Sequence, residues 1–98
     1  LSDRLLKLDE MSVVHDNGKI EYPALTDMKV LKFLIEKAPR AVSRDEIYDN
    51  IWGPDKMPNL RTVDNIIVRL RQILGPDEET HLRSVRGIGY QWLPDGQN

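Results

Sequence analysis

The sequence contains no cysteine, which removes a disulfide framework and a zinc–thiolate centre from consideration and agrees with a reducing compartment. It has no apolar run long enough to cross a bilayer and no stretch with the character of a secretory signal, so the expected location is cytoplasmic. Excess positive charge is also missing. The net charge is −2, whereas a phosphate-binding surface usually leaves a basic footprint. There are no internal repeats, no low-complexity tracts and no cluster with metal-ligand spacing, and no cofactor is expected. Catalytic parts are absent too. Ser12, Ser43 and Ser84 with His15 and His81 nominally supply a triad, but no nucleophile motif surrounds them, and both histidines read as ordinary surface residues, one in a strand and one in a linker. Gly87-x-Gly89 lacks the third glycine and the following helix of a dinucleotide site. Asp45 and Glu46 fall in the first turn of a helix, where the dipole favours acids. The chain is therefore expected not to be an enzyme.

What is present is one compact domain's worth of chain: 98 residues, read as a single domain over 1–98 with an ordered core from about 5 to 94. The charge, nearly balanced overall, is unevenly placed. Acids outnumber bases up to Pro58, but the stretch from Asn59 to Leu74 carries Arg61, Arg69 and Arg71 against Asp64 alone. Thr80 to Pro94 adds Arg83 and Arg86 with no acid, and the intervening acids collect in Asp77, Glu78 and Glu79. Positive charge is thus focused on two short elements.

The first 25 residues read as short strands at Leu6-Lys7-Leu8, Ser12 to Asp16 and Lys19 to Tyr22, the last two joined by Asn17-Gly18 as a two-residue turn. Thr26 is the expected cap of a helix to about Lys37, with Met28, Leu31, Leu34, Ile35 and Ala38 at helical spacing. Ser43 and Glu46 form a capping box, with Val42 and Ile47 at the staple positions, for a second helix to about Trp52 that Gly53-Pro54 stops. A third helix from about Arg61 to Leu74 carries Val63, Ile66, Ile67, Leu70, Ile73 and Leu74 on one stripe. Gly75 and Pro76 are its stop. A hairpin follows, Leu82 to Arg86 and Gly89 to Leu93, turning at Gly87-Ile88. Strands, three helices and a terminal hairpin are the plan of a winged helix, an α+β fold.

Opposite the apolar stripe of the third helix stand Arg61, Asn65, Val68 and Gln72, flanked by Arg69 and Arg71. Arginine offers two donors to guanine, asparagine and glutamine pair with adenine, and an apolar group meets the thymine methyl. Arg86 sits beside a glycine turn, from which it can enter a narrow minor groove. Each feature alone has an ordinary explanation, as a solvated helix face or an exposed hairpin arginine. Together, one hairpin apart, they point to DNA.

The run from Leu60 through Arg61-Thr62-Val63-Asp64 to Gly75, followed by Ser84-Val85-Arg86-Gly87-Ile88-Gly89-Tyr90, resembles the recognition helix and wing of the OmpR/PhoB family. Leu25-Thr26 and the segment Val42-Ser43-Arg44-Asp45-Glu46 ahead of Ile47 and Trp52 resemble its earlier motifs, so the likeness runs in order from about Leu6 to Leu93. It implies a winged helix-turn-helix with an N-terminal four-stranded antiparallel sheet, three helices and a C-terminal β-hairpin wing. It also implies the effector domain of a two-component response regulator, binding double-stranded DNA in transcription regulation, with a receiver domain in the full-length protein and two copies head to tail on tandem direct repeats. Carried over by position, Arg61, Thr62 and Arg71 would contact phosphates, Asn65, Val68 and Arg69 would face base edges, and Arg86 would enter the minor groove. Ser84, Tyr90 and Trp52 would contact the backbone, and the loop from Gly53 to Asn59 would touch RNA polymerase. The chain departs from the family at Lys29, where glutamate is usual, at Ile66 and Val68, where polar or basic residues are common, and at Gln72, where lysine is frequent. The change at Lys29 costs the first helix a capping partner, and the changes at Ile66, Val68 and Gln72 imply fewer phosphate contacts, with thymine preferred under Val68. The rival reading is a winged-helix protein-interaction module whose basic face makes no DNA contact.

Overall fold

The computed structural model describes residues 4–54, 57, 59–75 and 81–96. Asp55, Lys56 and Pro58 in the expected polymerase loop, the stop residue Pro76 and the acids Asp77, Glu78 and Glu79 lie outside the described residues.

The N-terminal strands are β1 (Arg4–Lys7), β2 (Ser12–His15) and β3 (Ile20–Glu21), which pair antiparallel in that order. Leu6 lies opposite Val13 and faces the core, while Leu5 and Ile20 lie outside. Leu8 is not a strand residue: it opens a 3-10 turn over Leu8–Glu10 that Met11 closes at φ 53°. The hairpin turn is also shifted from Asn17-Gly18. The Gly18 amide donates to the His15 carbonyl at 2.9 Å, leaving Asp16 and Asn17 as the central pair, and Gly18 follows at φ 87°. A two-residue primed turn would need positive φ at asparagine as well; a three-residue loop places the left-handed conformation on glycine alone.

Helix α1 (Leu25–Lys37) starts before Thr26, with Ala24 at the cap position and no side-chain cap. Its buried stripe is wider than the sequence pattern suggests, adding Val30 and Phe33 to Met28, Leu31 and Leu34, with Ile35 and Ala38 only half-buried. The two-residue strand β4 (Val42–Ser43) leads into α2 (Arg44–Trp52), where Ser43 Oγ accepts from the Glu46 amide at 3.0 Å. The expected reciprocal half of the capping box is replaced. The Glu46 carboxylate takes two bonds from Arg40, at 2.7 and 3.2 Å, because a charged bidentate partner outcompetes a neutral amide. Val42 and Ile47 are both fully buried.

Helix α3 (Leu60–Leu74) buries Val63, Ile66, Ile67, Leu70 and Leu74, each contributing about 1.5–3 kcal/mol relative to an exposed position, and leaves Ile73 at the margin. Strands β5 (Leu82–Val85) and β6 (Gly89–Trp92) form the wing. Its turn is centred on Arg86 and Gly87, not Gly87-Ile88: the Ile88 amide donates to the Val85 carbonyl at 3.0 Å, and Gly87 takes φ 79° at the second central position, the type II arrangement.

The architecture is a winged helix with three helices, but the expected four-stranded N-terminal sheet is corrected to two three-stranded sheets, ordered β1-β2-β3 and β4-β6-β5. The fourth short strand joins the wing, Val42 opposite Tyr90 and Ser43 opposite Gly89. That junction is tight. A Cβ on Gly89 would overlap the Val42 carbonyl oxygen and lie 3.0 Å from the Ser43 Cα.

Candidate nucleic-acid interface

The outward face of α3 presents Arg61, Asn65, Val68 and Gln72 to solvent, with Val68 53% exposed although apolar. Ile66 belongs to the core, so its difference from the family pattern falls on packing and not on this face. Thr62 is half-buried, its amide closing the first turn onto the Asn59 carbonyl at 3.0 Å.

Three polar ties place the wing beside this face. Arg71 Nη2 donates to the Leu82 carbonyl at 3.1 Å and to Ser84 Oγ at 2.9 Å, so two residues predicted as separate backbone contacts are bonded to each other. Tyr90 donates from its hydroxyl to Asp64 Oδ1 at 2.7 Å, and Arg44 Nη1 donates to Asp64 Oδ2 at 3.0 Å. The lone acid of α3 is thereby neutralised by α2 and bolted to β6, which removes its repulsion for a polyanion. Burial first, and then the bond to Asp64, push the Tyr90 phenol up to about 12. Between Arg44, Asp64 and the wing residues Ser84 to Tyr90 runs a groove of about 450 Å³. Arg86 lines it. Arg86, Gly87 and Ile88 project as an exposed tip, Ile88 55% exposed.

The cations divide into committed and free. Arg44 and Arg71 are held as described, and Arg69 donates twice to Asp27, Nε to Oδ2 at 2.8 Å and Nη2 to Oδ1 at 3.0 Å. Among the described residues Arg61, Arg83 and Arg86 make no hydrogen bond or ion pair. Trp52 is half-buried and stacks on Tyr48, ring centroids 4.5 Å apart, at the end of α2.

Sequence reasoning missed Arg44 and Asp27, whose partners lie 20 and 42 residues away. For Asp64 a signal existed, as the only acid in a helix otherwise bearing arginines. Neither histidine is an ordinary surface residue: His15 is half-buried with Nε2 2.9 Å from Glu21 Oε1, and His81 stacks on Trp92 with Nδ1 2.6 Å from the Leu93 carbonyl. Among the described residues no helix is long and apolar enough to cross a membrane.

Residues 24–92 match the family described as "Transcriptional regulatory protein, C terminal". The chain is 39% identical over 69 residues to the transcriptional regulatory protein TrcR of Mycobacterium tuberculosis, covering 70% of this chain and 27% of that protein. It is 36% identical over 76 residues to the phosphate regulon transcriptional regulatory protein PhoB of Pseudomonas aeruginosa, covering 78% of this chain and 33% of that one. The chain thus spans about a third or less of these relatives' lengths. The DNA-binding domain of Klebsiella pneumoniae RstA, in complex with the RstA box, superposes with a TM-score of 0.71 at 26% identity, over 94% of this chain and 92% of that one. The two curated relatives carry transcriptional-regulator names. The chain belongs to the family of transcriptional regulatory protein C-terminal domains, of OmpR/PhoB type.

Proposed function

We propose that this chain binds double-stranded DNA sequence-specifically in transcription regulation, as the effector domain of a two-component response regulator, with α3 in the major groove and the wing on the adjacent minor groove. The observation that carries this reading is the exposed row Arg61, Asn65, Val68 and Gln72 tied by Arg71 to a wing whose Arg86 has no partner among the described residues. Asn65, Val68 and Gln72 face base edges, with thymine under Val68. Arg61, Thr62 and Arg71 meet phosphates, as do Ser84, Tyr90 and Trp52, and Arg86 enters the minor groove. Arg69 leaves the base-reading set because its fork already holds Asp27. Selection from a random duplex pool tests the reading: a recurring motif is expected, and retention of no sequence above background would reject it.

The larger assignments rest on the family. The chain is read as one domain, cytoplasmic in its full-length protein, preceded there by a receiver domain, with no cofactor and no catalysis. The loop from Gly53 to Asn59 is assigned to RNA polymerase. Two copies bind head to tail on direct repeats about one helical turn, roughly 10–10.5 base pairs, apart. A two-site probe should therefore bind more tightly than a one-site probe, lose that advantage when about five base pairs are inserted, and regain part of it at about ten. Equal binding of both probes at every spacing leaves a monomeric reader.

Arg86→Ala should weaken binding by about 1–3 kcal/mol, more on A/T-rich flanks than on G/C-rich ones, because a narrow minor groove concentrates negative potential around an inserted guanidinium. Equal losses on both flanks, measured by fluorescence anisotropy, would make Arg86 a plain phosphate contact. The rival protein-interaction reading gives the free Arg61 and Arg86 no task, and it expects both to be replaceable without loss.

A further inference from the structure

One buried carboxylate has no part in the proposed contacts to bases and phosphates. Asp27 stands in the first turn of α1 with its side chain 3% exposed, and both its oxygens accept from Arg69 across the α1–α3 junction. Arg69 is half exposed, one helical turn beyond Asn65 and adjacent to Val68. It therefore occupies the turn of α3 that presents Asn65 and Val68, two of the three proposed base contacts.

Resting on the DNA-binding reading, we propose that Asp27 and Arg69 form a clamp that sets the rotation of α3 about its own axis, and with it the aim of Asn65 and Val68, and that Arg69 itself reads no base. Arg71 and Asp64 tie α3 to the wing and to α2, but against α1 the stripe of Val63, Ile66, Ile67, Leu70 and Leu74 holds it by burial, which is non-directional and tolerates small rotations. A bidentate arginine–carboxylate pair does not. Two parallel bonds from a planar fork fix orientation as well as distance. A helix with its side chains has a radius of about 5–6 Å, so a rotation of about 20° moves a surface side chain by about 2 Å, enough to break a hydrogen bond to a base edge. The pair does not dissolve on DNA to free the fork for guanine, because that would leave Asp27 buried, charged and unpartnered. Arg69 is thus a positioning residue, acting through its neighbours.

The test compares wild type, Asp27→Asn, Arg69→Gln, the double variant and Arg69→Lys. For each, the base-preference profile from a random duplex pool is measured at a temperature well below its unfolding midpoint, together with affinity for the selected site and for a scrambled duplex. The clamp expects Asp27→Asn, which is shielded from solvent, to lower specific affinity by roughly tenfold and to flatten preferences across the whole site, while the scrambled duplex loses less than about threefold. Arg69→Gln should reproduce that profile. The double variant should be no worse than the more damaging single change, as coupled partners require, and Arg69→Lys, which keeps the charge and folds with one bond to Asp27, should recover part of the sharpness. If Arg69→Gln erases one or two base columns while Asp27→Asn leaves the profile intact, Arg69 is a reader and the clamp is wrong. If both changes lower thermal stability but the profiles superimpose on wild type, the pair only supports the fold, and the clamp is equally overturned. A wild-type pool that yields no motif would instead remove the DNA-binding reading on which the clamp depends.

Discussion

Raising monovalent salt from about 50 to about 200 mM should weaken the binding of a single copy to its site by roughly 40- to 150-fold, a shallow dependence for a DNA-binding protein. Each neutralised phosphate contributes about −0.9 to the slope of log affinity against log salt. Five arginines lie on or beside the interface in the sequence, which alone would allow a slope of about −4 to −5. The structure commits some of them. Arg69 is committed to Asp27 and Arg71 partly to the wing, leaving, among the described residues, Arg61, Arg83 and Arg86 without a partner and Arg71 available in part. Three to four phosphates give a slope of about −2.7 to −3.6, and Arg61→Ala should reduce it by about 0.9. Anisotropy titrations on a one-site duplex at four salt concentrations measure this directly. A slope of about −6 or steeper would mean that cations outside this face, such as those of α1, also meet the duplex.

Gly89→Ala should lower stability by about 3 kcal/mol or more, shifting the thermal midpoint of a domain this size down by roughly 12–24 °C. The cause is contact, not only conformation. The added Cβ overlaps the Val42 carbonyl oxygen, and Ser43 Cα lies 3.0 Å away, so β4 must leave β6 or the wing must tilt. Gly18→Ala is the control, since Gly18 has φ 87° but a Cβ added there would meet nothing within 4 Å. It should cost only the conformational penalty of about 1–2 kcal/mol. Urea unfolding of the two variants separates the contributions. Equal destabilisation would show that the approach of β4 is not what requires glycine at position 89.

The contrast between these two glycines shows where the sequence was informative. That Gly18 and Gly87 sit in turns follows from glycine and its neighbours, but each turn's centre differs from the expected one, because the chain can place one left-handed residue in more than one loop type. The α3 stripe and the Ser43 cap were readable because the interactions are local, repeating at helical spacing or spanning three residues. Strand β4 was not. It has two residues, no alternation to detect, and a partner strand about 47 residues further along the chain. The interface divides in the same way. The exposed row Arg61, Asn65, Val68 and Gln72 follows from periodicity, whereas the commitment of Arg69 to Asp27 depends on how α1 and α3 pack, which no local pattern encodes.

The ties that Arg71 makes to β5 and Asp64 makes to Tyr90 carry one more consequence. With the helix and hairpin pinned to each other at two points, the span from the α3 face to the Arg86 tip is held to one length, so in the proposed docking the domain would act as a caliper for groove spacing. B-form DNA offers a wide major groove beside a narrow minor one. An A-form duplex has a deep, narrow major groove and a broad, shallow minor groove, and rigid jaws set for the first cannot close on the second. In that docking, discrimination against double-stranded RNA, and against DNA stretches that favour A-like geometry, should follow from two hydrogen-bonded seams behind the surface, whatever bases the face in front of them prefers.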